Sequence, residues 1–265
     1  MPDGDVRPPP RGWLPDTTDE VWAGHPEFLD VSGHLVASIG ALLVEKGDRA
    51  MLIDAGFGPQ TLPPDPGIPR GVIHGGALLG NLAELGRRPE EIEVLAFTHL
   101  HPDHTGWAWH SAPGGDRPGF AHADYLVSEP EWAQRDLLVA NGMAEEVTGL
   151  APYVRTVTGG QEIFPGVLVR IAAGHTAGHA EYVITSGRRR LIAFGDALHS
   201  PIQVDRPEWS AAVDHDPVRS ADHRRRLVAE LEEPDTIGVG IHFADVVFGQ
   251  TRRDGDGPAW RPLNA

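Results

Sequence analysis

The sequence predicts an α/β (α+β) protein in which two β-sheets pack face to face with helices on their outer faces. Three observations lead there. Short apolar runs bounded by Gly, Pro and Asp recur along the chain, few segments carry the helical period, and the second half repeats the order of the first without any exact repeat. The 265 residues suit one large domain or two small ones and can bury a core without disulfides or metal staples.

Residues 1–33 are rich in Pro, Asp and Gly and are expected to form an irregular arm whose later aromatics, Trp22 and Phe28, pack on something. The main domain is expected over residues 34–265. Leu35 to Val44 and Ala50 to Ile53 read as strands joined by a turn at Gly47-Asp48. Residues 56–76 hold many Gly and Pro and read as loop. Leu78, Leu79, Leu82 and Leu85 lie on one helical face, stopped by Gly86. Glu93 to Phe97 is a short buried strand, Tyr125 to Val127 another, and Glu131 to Val139 a helix. Gly166 to Ile171, Tyr182 to Thr185 and Leu191 to Phe194 are strands, with Arg188-Arg189-Arg190 as a solvated hairpin tip. Asp216-Pro217 is an N-cap followed by proline, opening a helix to about Glu232 with Leu227, Val228 and Leu231 facing inward. Thr236 to Ile241 is a final strand ending at His242.

Asp and Glu number 38 against 22 Lys and Arg, a formal charge of −16, which disfavours nucleic acid and anionic membranes as partners. No apolar stretch reaches spanning length. The N-terminus lacks the basic start and apolar segment of a secretory signal, so the expected location is cytoplasmic. With no cysteine, thiolate metal sites and cysteine nucleophiles are excluded, and any metal must be held by nitrogen and oxygen.

The run Thr98-His99-Leu100-His101-Pro102-Asp103-His104 carries the chemistry. Four potential ligands fall within six residues. Residues two apart on a strand point the same way, so His99 and His101 can converge on one cation. Pro102 then breaks the strand, and the following turn can present Asp103 and His104 to a neighbouring position. Such a set can supply two adjacent divalent ions.

That run resembles the His-x-His-x-Asp-His signature of the metallo-β-lactamase superfamily. Further elements recur in order over about residues 35–248: Leu52-Ile53-Asp54-Ala55-Gly56, Ala173-Gly174-His175-Thr176-Ala177-Gly178-His179 (with alanine for proline), Phe194-Gly195-Asp196 and Gly240-Ile241-His242. The resemblance implies the αβ/βα sandwich of two mixed sheets and a two-metal site at one edge. It implies His99, His101 and His175 around one metal, Asp103, His104 and His242 around the other, and Asp196 bridging both. Two ions, zinc first and Mn, Co or Fe as alternatives, would share a hydroxide that attacks a carbonyl carbon or a phosphorus. Asp103 can also accept or pass a proton.

Asp54 is expected to accept the free N–H of a ligating imidazole, and His179 to be a hydrogen-bonding rather than ligating histidine. In the superfamily's acyl-homoserine lactonases a tyrosine that contacts substrate matches the position of His199. Here Gly195 to Ser200 looks more like the methyl parathion hydrolase branch, with His199 either orienting substrate or donating to a leaving group, or else buried and merely hydrogen-bonded. Trp107, Trp109, Leu198 and Phe243 are candidates to line an apolar substrate pocket, with ordinary core packing the stronger alternative for any single aromatic among them. The resulting expectation is a dinuclear hydrolase of small apolar esters, lactones or phosphotriesters. The alternative is a mononuclear iron sulfur dioxygenase or another redox member of the superfamily. The expected partner is a small molecule, and the aromatic-bearing arm leaves a homodimer open.

Overall fold

A computed structural model describes residues 1–65, 70–255 and 257–263. The chain opens with β1 (Pro2–Arg7), two short helices α1 (Pro10–Trp13) and α2 (Asp19–Ala23), and then β2 (Ala37–Gly40), β3 (Leu42–Lys46) and β4 (Arg49–Ile53). Next come β5 (Thr61–Leu62), β6 (Val72–His74), α3 (Leu78–Glu84), β7 (Ile92–Ala96) and α4 (Pro102–Trp109). The middle holds β8 (Asp124–Ser128), α5 (Glu129–Ala133), α6 (Arg135–Ala140), α7 (Ala144–Leu150) and β9 (Val154–Val157). Then follow β10 (Glu162–Phe164), β11 (Val167–Ile171), β12 (Ala180–Ser186) and β13 (Arg189–Ala193). The last elements are α8 (Ile202–Asp205), α9 (Pro217–Leu231), β14 (Thr236–Val239), β15 (Phe248–Asp254) and β16 (Gly257–Pro262).

Two large mixed sheets form the body. One has the order β3-β4-β7-β8-β9 and the other β10-β11-β12-β13-β14-β15-β16. The strands of the first alternate, apart from a register shift in β7 between Ile92 and Val94. Met51, Ile53, Val94 and Ala96 point between the sheets onto Val167, Val169, Tyr182 and Val239. Leu52, Leu95 and Tyr125 point outward onto α3, α4 and α7 through Leu78, Leu82, Trp107 and Leu150. That period of two is what lets one strand serve two cores. On the far face α9 buries Leu227, Val228 and Leu231 against Ile192, Phe194 and Trp260. Its start matches the sequence reading, since the Asp216 side chain accepts from Arg219 N and proline fills the first turn. The architecture is thus the expected mixed α/β arrangement of helix, sheet, sheet and helix.

Four expectations need correction. Residues 1–33 are not an irregular arm throughout, because β1 pairs with β2 and β6 in a small sheet of order β2-β1-β6-β5. That sheet also puts two strands into the expected 56–76 loop. The cause is partly Asp3, whose buried carboxylate collects N–H donors from distant segments. The single helix over Glu131–Val139 is two helices, since Gln134 leaves helical geometry between them. Finally, Thr236 to Ile241 is not the last strand, as β15 and β16 extend the sheet beyond it.

Candidate metal centre

The parallel strand β7 delivers the chain into the histidine run. Phe97 N donates to Leu126 O at 3.0 Å, so the extended backbone continues past the strand into Thr98-His99. Pro102 does not merely end it: proline occupies the first position of α4, where its fixed φ suits a helix and its missing N–H costs nothing. The helix tip therefore carries Asp103 and His104. Gly106 is required here, since a Cβ would stand 2.0 Å from Phe57 C.

The loops at this edge of the sheets bring the seven expected ligands together. His101 Nδ1 lies 3.0 Å from His99 Nε2 and 3.1 Å from His175 Nε2. Asp196 Oδ2 is 3.3 Å from His175 Nε2 and 3.7 Å from His99 Nε2. Asp196 Oδ1 faces the other way, 3.2 Å from His104 Nε2 and 3.1 Å from His242 Nε2. Asp103 Oδ2 closes this second group at 3.8 Å from His104 Nε2 and 3.6 Å from His242 Nε2. Ligand atoms at tetrahedral zinc stand about 3.3 Å apart, given bonds of roughly 2.0–2.1 Å. Both groups have that spacing. His104 Nε2, His242 Nε2 and Asp196 Oδ1 are buried without a hydrogen-bond partner, which is costly unless a cation sits among them. The residues present fit two divalent ions, and the all-nitrogen-and-oxygen donor set suits zinc and its neighbours.

The electrostatics agree. Burial pushes His99 well below the ordinary imidazole value and His101 down to about 3, which holds both neutral, the ligating form. Burial alone would raise the Asp196 carboxyl, but His242, His104, His99 and His199 outweigh it and hold it well below the carboxylate range. Burial likewise opposes charge on His104 and His242, yet Asp196 raises both above the ordinary value. The centre is an anion surrounded by imidazoles, and a cation would relieve it.

Hydrogen bonds behind the rings set their tautomers. Asp54 Oδ2 faces His104 Nδ1 at 2.9 Å and also accepts from Thr98 Oγ1, the arrangement expected from sequence. His179 Nε2 accepts from Asp196 N at 3.1 Å, and burial lowers that ring to about 3, so it can remain an acceptor. Three partners escaped sequence reading. Asp214 Oδ1 faces His175 Nδ1 at 2.9 Å and its other oxygen accepts from the fully buried Arg224 at 3.1 Å. Ser38 O accepts from His242 Nδ1 at 2.8 Å. Glu131 lies at the joint between the two histidine loops. A buried Asp214 and Arg224 ten residues apart look like an ordinary surface helix pair in sequence.

His199 has its Nε2 3.2 Å from Asp196 Oδ2 and its ring 4.9 Å from that of His175. Trp13, from the expected arm, covers it edge-on at 5.6 Å and reaches His242 at 5.8 Å. The ring is only 1% exposed, so its place is beside the carboxylate and away from solvent. The four expected pocket residues are not pocket residues. Trp107 is buried in the helix-side core and donates Nε1 to Asp3 Oδ1 at 2.9 Å. Trp109 packs on α7 at Gly149, and Leu198 and Phe243 belong to the core beneath α9. Nearness to a ligand in sequence placed them under the site rather than over it, because alternate residues of each loop face the core.

The open cavity of about 180 Å³ lies on the other side, against His101 and His175. Its walls come from Glu131 of α5 and Gln134 just after it, from Leu137 and Leu138 of α6 and Asn141 just past it, and from the loops at 176–177 and 213–215. Among the described residues no Lys or Arg lines it. The Arg188–Arg190 run is indeed at a hairpin turn, with Arg190 pairing Glu230 at 3.0 Å. Among the described residues no helix is long and apolar enough to cross a membrane.

Comparison with known proteins bears on this geometry. Probable metallo-hydrolases of Mycobacterium bovis and Mycobacterium tuberculosis are 29% identical over 177 residues, 60% of this chain. The match spans 56% of those proteins, so the chain covers about half the length of the curated relatives. The fold matches AidC, a dizinc quorum-quenching lactonase in complex with a product, at TM-score 0.83 and 20% identity, over 100% of this chain and 93% of that one. It matches the hydrolase AbOPH, of the β-lactamase superfamily, at TM-score 0.82 and 24% identity with the same coverage. AiiA of B. thuringiensis, with N-decanoyl-L-homoserine at its active site, matches at 0.68 and 17% over 92% of each chain. A sequence model of the metallo-β-lactamase superfamily matches residues 38–240, a span that holds every expected ligand except His242, and the chain belongs to that superfamily.

Proposed function

We propose that this protein is a dinuclear metal-dependent hydrolase of small, fairly apolar esters, lactones or phosphotriesters. The observation that carries the reading is Asp196, whose two oxygens stand 3.3 Å from His175 Nε2 and 3.1 Å from His242 Nε2 in different ligand groups. One carboxylate thus serves two sites. His99, His101 and His175 would share its Oδ2, and Asp103, His104 and His242 its Oδ1. Two divalent ions so held, zinc being the first choice, would lower the pKa of water and polarise the scissile oxygen.

The chain's own groups do the rest. Asp54, Asp214 and the Ser38 carbonyl accept from the Nδ1–H of His104, His175 and His242, which turns each Nε2 inward as the atom that would meet a metal. Asp103 is the more exposed of the two ligand-group carboxylates, at 17% against 4% for Asp196, and can pass a proton to solvent. His199, kept below its ordinary value by burial, stands with Nε2 3.2 Å from Asp196 Oδ2, close enough to orient that carboxylate. The cavity gives substrate an apolar side from Leu137, Leu138 and Val213 and two amides from Gln134 and Asn141. Its size and lack of cationic lining favour a small neutral substrate over a polyanion. The lactonase and hydrolase neighbours support this choice of substrate class.

The test is a substrate panel on metal-quantified protein: p-nitrophenyl esters, an acyl-homoserine lactone, methyl paraoxon and a cephalosporin. Two metal equivalents per chain and turnover of an ester, lactone or phosphotriester are expected. His101→Ala and Asp196→Asn should each abolish that turnover and lower metal content. Full activity in either variant, or one iron per chain with oxygen consumption, would overturn the reading.

A further inference from the structure

The structure assigns Glu131 as a positioning residue that holds the two loops of the first ligand group at a fixed separation. Glu131 stands in the first turn of α5 and is 5% exposed. Its Oε1 accepts from Leu100 N at 3.1 Å, the residue between His99 and His101. Its Oε2 accepts from Thr176 Oγ1 at 2.6 Å and Gly178 N at 3.1 Å, the residues that follow His175. One side chain therefore bridges two loops that are 74 residues apart at the His101–His175 contact, where the ring nitrogens stand 3.1 Å apart.

The carboxylate is itself held from behind. Ser128 Oγ accepts from Glu131 N at 3.2 Å and donates to Gly178 O at 2.5 Å. At Gly178 a Cβ would stand 2.0 Å from Glu131 N, so the 175–179 loop lies directly on the start of α5. Glutamate is suited to the task because it offers two acceptor oxygens and no donor, matching three donors from two directions. Among the described residues the second group has no such link, since His104 and His242 lean on Asp54 and Ser38 instead. Glu131 should therefore govern retention of one ion and not the other. It touches no ligand ring by hydrogen bond, so its effect runs through the backbone of the loops.

This inference rests on the metal-centre reading, and the experiment separates the two. Zinc release from the purified metal-loaded protein into excess chromophoric chelator is followed for wild type, Glu131→Gln and Glu131→Ala, with His242→Ala identifying the equivalent held by the second group. Glutamine keeps the volume but offers one acceptor oxygen to two loops. Release of the first-group equivalent should accelerate by about 10-fold or more in both variants, more in alanine, with the other phase unchanged. Wild-type rates for both equivalents would overturn the role of Glu131. Equal acceleration of both phases together with a lowered unfolding midpoint would also overturn it, as a general loosening. Absence of any bound divalent ion in wild type would sink the metal-centre reading before a variant is made.

Discussion

Asp3→Asn should destabilise the protein far more than a change near a chain end normally does. Asp3 is 2% exposed, and its Oδ1 accepts from Gly76 N at 3.0 Å, Leu78 N at 2.8 Å and Trp107 Nε1 at 2.9 Å. Its Oδ2 accepts from Phe57 N at 2.7 Å and Gly58 N at 3.0 Å. Asparagine has one acceptor oxygen. Placed toward the three donors, it leaves its NH2 facing two N–H groups that have no other acceptor at hand. Hydrogen bonds to a charged group are worth about 1.5–3 kcal/mol each, so losing two predicts a loss of roughly 4 kcal/mol. With a urea m-value of about 3 kcal/mol/M, the midpoint should fall by about 1 M. The control is Asp5→Asn, whose carboxylate pairs with Arg7 at 2.9 Å near the surface; it should cost under about 1 kcal/mol. Metal retention should weaken with Asp3→Asn as well. Ala55 N donates to His104 O and Gly106 N to Gly56 O, both at 2.7 Å, so the knot around Asp3 supports the turn of α4 that carries His104. A midpoint for Asp3→Asn within about 0.2 M of wild type would refute this account of the buried carboxylate.

Two further outcomes follow from the same geometry. Asp54→Asn removes the charge that faces His104 Nδ1 at 2.9 Å while tolerating the φ of 63° at that position, so metal affinity should drop about 10–100-fold with the fold retained; chelator competition measures it, and an unchanged affinity would count against Asp54. Glu181→Gln should cost about 3 kcal/mol at neutral pH, because it breaks a buried ion pair in which Glu181 meets His223 and Arg170, each at 2.6 Å. Burial alone would raise the Glu181 carboxyl, but His223 and Arg170 hold it below the ordinary 4.5, so its stabilisation is present above about that pH and is lost as pH falls through the lower folded value. The gap between wild type and Glu181→Gln in unfolding free energy should thus narrow only below about pH 4.5, and a gap that widened in acid would contradict the sign.

Much of the site was legible because its ligands are clustered in sequence and bound to local geometry. His99, His101, Asp103 and His104 lie on one strand exit and one helix tip, and each of His175, Asp196 and His242 follows a strand into the same edge. The pocket was not legible. Trp107, Leu198 and Phe243 sit beside ligands in sequence yet face the cores, while the cavity is walled by α5, α6 and the loops at 176–177 and 213–215. Side-chain direction alternates within a loop, and which alternate faces solvent depends on what packs from the other side.

The first thirty residues teach the same point. Pro, Asp and Gly marked them as irregular, and nothing local distinguishes Asp3 from a surface aspartate. Its role exists only where Phe57, Gly76, Leu78 and Trp107 converge on it. Trp13 likewise gained a place over His199 only through that pairing.

What the sequence by itself determined was the layered α/β order, the N-cap of α9 and the local ligand run from His99 to His104, because apolar period, cap chemistry and ligand spacing act over a few residues; His175, Asp196 and His242 entered only through the family resemblance. Tertiary structure alone decided which carboxylates are buried, which aromatics are core, and how Glu131, Asp214 and Ser38 lean on the histidines. Those facts depend on contacts between segments dozens to hundreds of residues apart, as from Ser38 to His242, where a short-range pattern carries no information about which partner will arrive.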